Sequence, residues 1–240
     1  MMSTPFKKAL LILPMLLFGL TAFGQSVNYG LKVSKNISHF YGSYVATAQD
    51  DIRVTLDPGF ASRYSGGAFV RYYITNEFSI QTEMRYTSRG VRFDDEVVIR
   101  NRDMRITGNL MMNYIEVPVL FRFGTWLPNP EPPQYHPPGY TYHAFTGFSV
   151  GYNTHSRFSG DLSGDLFGVD FDEPFSDDVK YQFNDTDVSL IVGAGFEYGR
   201  LAKFTFDVRY IVSLLDIGKD PAFRGDIRHG TISASVGVLF

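Results

Sequence analysis

Cysteine is absent from all 240 residues, which excludes a disulfide framework and removes the thiol that a lipid-anchored lipoprotein needs after its leader. Tryptophan occurs once, against 15 tyrosines and 22 phenylalanines. There is no basic excess: 22 Lys and Arg stand against 25 Asp and Glu, a formal charge of −3. Nucleic-acid binding, which needs a basic patch, gains no support from this balance. Beyond the first two dozen residues there is no apolar run of about 18 residues, so any membrane crossing by the remaining chain is made by strands.

Residues 1–24 have the layout of a secretory signal peptide. Lys7 and Lys8 supply the positive region, Ala9 to Leu20 the apolar region, and Ala22-Phe23-Gly24 the small-residue cleavage site before Gln25. The apolar segment is interrupted by Pro14 and is too short for a spanning helix. Cleavage there removes two lysines and no acid, so the formal charge moves from −3 to −5. Residues 25–240 then form one domain.

What is present is period-two alternation. In 187–213, Val188, Leu190, Val192, Ala194, Phe196 and Tyr198 share one parity, and Ser189, Gly193, Gly195 and Glu197 share the other. After a turn at Gly199 to Ala202, Phe204, Phe206, Val208, Tyr210 and Val212 oppose Thr205, Asp207, Arg209 and Ser213. Such alternation marks a strand with two unlike environments. It recurs from Val27, near Tyr64–Ile74, in Phe78–Thr87, Met112–Phe123 and Tyr140–Asn153, and in Thr231–Phe240, predicting eight strands. Pro118, on the inward parity, forfeits a ladder bond and predicts a bulge or kink. The connections 42–62, 90–109, 154–186 and 214–228 are long, whereas 75–77 and 199–202 are short. The stretch 124–139, with six of the 12 prolines, is a stiff medium connection. Long–short alternation with both termini on the short side is the layout of an outer-membrane barrel. The expected fold is therefore all-β: an eight-stranded antiparallel up-and-down transmembrane β-barrel.

The charges on the polar parity are Arg71, Glu83, Arg85, Glu116, Arg122, Glu197, Asp207 and Arg209. In a soluble barrel one face would fail whichever way the wall were turned. Either a continuous Phe, Val, Ile and Tyr surface would meet water, or eight charges would enter an apolar core at several kcal/mol each unless paired. With lipid outside, the apolar face is solvated by hydrocarbon and the ionised face is enclosed. An eight-strand barrel is just wide enough for its own side chains, so the balanced charges predict an ion-pair network that plugs the lumen. Phe240, ending the last alternating strand, fits the terminal signal read by barrel-insertion machinery.

Several pieces, GLKVSKNIS, FSIQTEMRYTSRG, NYIEVPVLFRF and GAGFEYG with FDVRY, together cover most of 26–240. In these the chain resembles the PorT-like, porin-family small outer-membrane barrels of Bacteroidetes-type bacteria, most specifically through Tyr114, Glu116 and Pro118. The resemblance implies an eight-stranded barrel in the outer membrane and carries no activity with it. The family is named for a member linked to type IX secretion, and the proline-rich 128–138 departs from its pattern.

Other constellations have plainer explanations. The acids of the 154–186 connection and its edge (Asp161, Asp165, Asp170, Asp172, Glu173, Asp177, Asp178, Asp185 and Asp187) match no calcium-loop spacing and read as a solvated surface. His155 and Ser156 are neighbours and point to opposite faces. His143 and Ser149 share a face but lie about 20 Å apart along a strand. Neither is a nucleophile–base couple. His39 and His229, near long connections, form a conceivable metal pair that nothing else in the sequence supports. Glu83 and Glu116, on adjacent strands, fit salt-bridged lumen filling better than a glycosidase pair. No enzyme activity, cofactor or metal is expected. The expected partners are outer-membrane lipid, the insertion machinery during assembly, and an envelope protein met through the external loops. The alternatives are a narrow passive channel and an accessory barrel of a secretion or envelope machine.

Overall fold

The computed structural model describes residues 27–41, 44–47, 53–56, 58–75, 77–99, 102–125, 139–166, 169–199, 202–219 and 226–240. The expected signal peptide and the proline run lie outside them. Eleven strands form: β1 (Val27–Tyr41), β2 (Tyr44–Thr47), β3 (Arg53–Leu56), β4 (Gly59–Tyr73), β5 (Phe78–Ile99), β6 (Arg102–Thr125), β7 (Gly139–Leu166), β8 (Val169–Asp178), β9 (Thr186–Gly199), β10 (Lys203–Ser213) and β11 (Arg228–Leu239). Eight of them, β1, β4, β5, β6, β7, β9, β10 and β11, pair in sequence and close into a ring through β1 and β11. All pairings in it are antiparallel. Closure leaves no free edge around the ring. At the seam Phe240 exchanges backbone hydrogen bonds with Tyr29, at 2.8 and 3.2 Å. Its ring lies 6.0 Å from that of Tyr29.

Alternation sets the two faces. Leu31, Val33, Met84, Phe148, Leu190, Val192, Phe206, Val208, Ile232 and Val236 point out of the ring and are exposed. Tyrosines and phenylalanines gather toward both ends of this surface: Tyr29, Phe123, Tyr140, Tyr142, Phe204 and Phe240 near the termini, and Tyr41, Tyr64, Tyr86 and Tyr152 toward the other end. Two aromatic girdles flanking an apolar band match the depth profile of a bilayer. Among the described residues no helix is long and apolar enough to cross a membrane, and the strands do the crossing.

Three expectations are corrected. First, 90–109 and 154–186 are not irregular connections. Strands β5, β6 and β7 run 22, 24 and 28 residues, where about 9–11 suffice to span a bilayer. The surplus continues as a sheet in the order β5-β6-β7-β8, on the order of 30 Å beyond the wall. Charge density misled the reading, because charged residues on solvated faces pair across strands as readily as apolar ones. Arg105 and Asp94 do so with bonds of 2.9 and 3.1 Å. That bidentate contact holds the Asp94 carboxyl below the usual carboxylate range. Second, 42–62 contains the β2–β3 hairpin and the start of β4. Third, Pro118 causes no bulge. On the β5 side the ladder skips from Thr82–Val119 to Arg85–Glu116 with its register unchanged. The irregularity falls instead at Asn113/Tyr114, where β7 inserts Thr154, whose hydroxyl donates to Asn113 O at 3.0 Å. The outer edge of β8 is exposed at Asp172, Glu173, Pro174, Asp177 and Asp178. A proline and like charges there oppose pairing with another strand.

Candidate functional site: the lumen

The inward parity of every strand delivers its side chains to one enclosed column. The eight charges expected there are all buried, and Lys32, Arg89 and Asp187 join them; Asp187 is not a solvated acid of the connection but a buried partner of Arg89. Six cations (Lys32, Arg71, Arg85, Arg89, Arg122 and Arg209) thus meet five carboxylates (Glu83, Glu116, Asp187, Glu197 and Asp207), every side chain at 4% exposure or less. Buried charges of this number are tolerable only when paired and hydrogen-bonded.

The pairing is nearly complete and ordered by height. At mid-column Arg209 grips Glu83 with a two-pronged contact, Nη1 to Oε2 at 2.9 Å and Nη2 to Oε1 at 3.1 Å. Gln81 donates to the same carboxylate at 2.6 Å. Lys32 bridges Glu83, at 3.4 Å, and Asp207. Arg85 donates to the Ser65 hydroxyl at 2.6 Å and stands 3.8 Å from Glu83. Nearer the long-connection end, Arg89 joins Glu116 to Asp187, the latter at 2.9 Å. Ser189 and Ser213 also donate to Asp187, at 3.0 and 2.9 Å. Toward the termini Glu197 Oε1 accepts from Arg71 at 2.6 Å and Arg122 at 3.1 Å, and His143 Nε2 meets Asp207 Oδ1 at 2.7 Å. The guanidiniums of Arg122 and Arg209 flank the Phe145 ring at 5.3 and 5.5 Å.

Two apolar clusters lie inside the ring as well. Leu120, Phe145, Ile191 and Ile211 pack inside the wall. At the long-connection end Phe40, Val91, Phe93, Leu110, Met112, Tyr114, Val179, Phe183, Ile217 and Ile227 form a cork. Its outer members are Val179, Phe183, Ile217 and Ile227, and the segments 179–184 and 216–219 are tied together by Asn184, which donates to the carbonyls of Asp216 (2.9 Å) and Gly218 (3.0 Å). Asp216 Oδ1 in turn accepts from the backbone of Gly218 and Ile227.

The other constellations separate. His39 projects from the outer parity and His229 from the inner one, where it meets the Tyr114 hydroxyl at 3.2 Å, so they do not converge. His143 engages Asp207 and not Ser149. Ser156 is buried against Asn153, while His155 faces Asp178 at 4.0 Å. Glu83 and Glu116 are each held by separate arginines. Among the described residues no group of three or more His, Asp or Glu could hold a metal ion. Pro118 is buried in the wall, and Tyr114 and Glu116 contribute to cork and network.

Glycine is required where side chains cross the column. A Cβ at Gly195 would strike the Phe206 carbonyl and lie 2.7 Å from His143 Nε2. Gly195→Ala is therefore expected to cost about 1–3 kcal/mol through overpacking. Equilibrium urea unfolding in lipid vesicles measures this, and a neutral substitution would mean that the column is loosely filled.

A closed eight-strand ring with an apolar exterior and an interior lined by paired charges defines a small outer-membrane β-barrel. The chain belongs to the family described as "Outer membrane protein beta-barrel domain", which matches residues 23–218, and it is an outer-membrane protein. Among solved structures it is similar to Ail, the attachment invasion locus protein of Yersinia pestis (15% identity, 89% of this chain and 98% of that one, TM-score 0.35). It is also similar to Neisserial surface protein A (15%, 88% and 96%, 0.36) and to the outer membrane protease OmpT of Escherichia coli (12%, 89% and 96%, 0.37). No curated protein sequence matches significantly.

Proposed function

We propose that this protein is a non-conducting, non-catalytic barrel whose work is done at the cell surface, by the β5–β8 sheet that it holds beyond the membrane. The observation that supports this reading is the run of paired charges along the lumen together with the apolar cluster at its long-connection end. A solute path would need both to give way. Among the described residues no serine hydroxyl is hydrogen-bonded to a histidine, and the one tight His–Asp contact serves the ion-pair column. The partners are bilayer lipid around the wall, the insertion machinery that reads Phe240 during assembly, and an envelope or surface protein met by the projecting sheet.

The finer likeness to PorT-like barrels rests on Tyr114, Glu116 and Pro118. Since Tyr114 and Glu116 are committed to packing and pairing inside the lumen, the segment marks a shared barrel interior and carries no secretion role with it. Purified protein in planar bilayers is expected to show no stable single-channel steps, and proteoliposomes no solute-dependent swelling. Reproducible conductance would establish the narrow-channel alternative in its place. Replacing residues 159–176 by a short turn is expected to leave heat-modifiable gel mobility intact while abolishing surface crosslinks to the partner. Persistence of those crosslinks would refute the role of the sheet.

A further inference from the structure

The column is corked at one end only. At the terminal end of the lumen Arg71, Arg122, His143, Glu197 and Lys203 line a recess of about 40 Å3. Two buried nitrogens there make no hydrogen bond, Arg122 Nη1 and His143 Nδ1, the latter 3.9 Å from Glu197 Oε1, on side chains only 3% exposed. Arg122 spends Nη2 on Glu197 at 3.1 Å, leaving the other prong of its fork free. His143 Nε2 is held by Asp207 at 2.7 Å, so with Nε2–H donating there the neutral ring presents Nδ1 as an acceptor for a protonated phosphate oxygen. Lys203 lines the same recess, and among the described residues its ammonium has no carboxylate within 4.0 Å. Arg71, Arg122 and Lys203 outnumber the lining carboxylates Glu77 and Glu197, and Glu197 is already neutralised by two guanidiniums.

A guanidinium prong and an ammonium that lack protein acceptors, in a low-dielectric recess, match an incoming group with several acceptor oxygens. We propose that this periplasm-facing recess is an oxyanion site, taking a phosphate or carboxylate between Arg122 Nη1 and Lys203 with His143 beside it. The group is either a free anion or the terminus of a larger periplasmic molecule. The recess is too small for more than the anionic head. The lumen beyond it is filled, so the site holds a ligand at the mouth and does not start a path.

The test uses the full mature barrel in detergent micelles, with arginine and histidine side chains followed by NMR. The probes are inorganic phosphate and N-acetylglycine, each against equal ionic strength of chloride. Saturable shifts of the Arg122 and His143 signals with a Kd on the order of 1 mM are expected. Tighter phosphate binding points to a free or lipid-borne phosphate, and tighter N-acetylglycine binding to a peptide terminus. Lys203→Gln lies at the rim, outside the ion-pair column, and should keep the fold while weakening binding by about two- to fivefold. Arg122→Lys should abolish it. No saturable shift with either probe, or shifts that Lys203→Gln leaves unchanged, would overturn the site.

Discussion

Glu83→Ala is expected to destabilise the barrel by about 3–5 kcal/mol, the usual cost of removing one partner from a buried ion pair. Glu83 accepts both prongs of Arg209 and a hydrogen bond from Gln81, and it lies 3.4 Å from Lys32 and 3.8 Å from Arg85. The column already has one more cation than carboxylate, so deleting this acid leaves three neighbouring cations facing one another without their shared counter-ion. Arg209→Met combined with Glu83→Met should recover most of the loss, because an apolar pair of similar volume often replaces a buried ion pair at little net cost. Urea unfolding in vesicles of Glu83→Met, Arg209→Met and the double variant gives the coupling directly. A loss below about 1 kcal/mol for Glu83→Ala would mean that water, not Arg209, solvates this carboxylate.

The ring was legible because a wall between lipid and enclosed charge writes its period into every strand. Phe78 to Thr87 shows it: each odd position from Ser79 to Thr87 is buried, while Met84 and Tyr86 are exposed. The extension beyond the membrane was illegible for the same reason. Past Thr87 both faces of β5 become polar or mixed, the alternation fades, and the segment looks like a charged loop. Arg89 was lost with it, although it lies two residues further along the inward parity and is the most central cation of its layer. Lys32 lies on the polar parity of β1 among uncharged neighbours, and Asp187, where the acidic connection meets its strand, reads as one more solvated acid, so nothing local marks either as enclosed. The apolar members of the lumen, Ile191, Ile211 and Phe145, break the alternation, and a pattern cannot tell an inward isoleucine from a register irregularity. The cork depends on tertiary placement of Val179, Phe183, Ile217 and Ile227 against Tyr114 and Phe93, which no period encodes.

Val208→Arg is expected to cost about 2–4 kcal/mol, the penalty for a cation on the lipid face near the bilayer midplane. Val208 is exposed at 44%, lies midway along β10, and is flanked by Ala194 and Ala234 on the neighbouring strands. Those alanines offer neither a counter-charge nor a tall side chain to screen the guanidinium, so it would have to reach far along the wall to find water. Val27→Arg, also outward but at the first residue of β1 beside the terminal girdle, should cost no more than about 1 kcal/mol. The contrast between the two positions is the decisive quantity. For a wall facing water, Val208→Arg is an ordinary surface substitution, within about 0.5 kcal/mol of neutral and indifferent to depth. For a wall facing hydrocarbon, the loss must grow from the girdle to the middle. Unfolding of both variants in vesicles separates the cases, and equal losses at the two depths would be incompatible with lipid on this face.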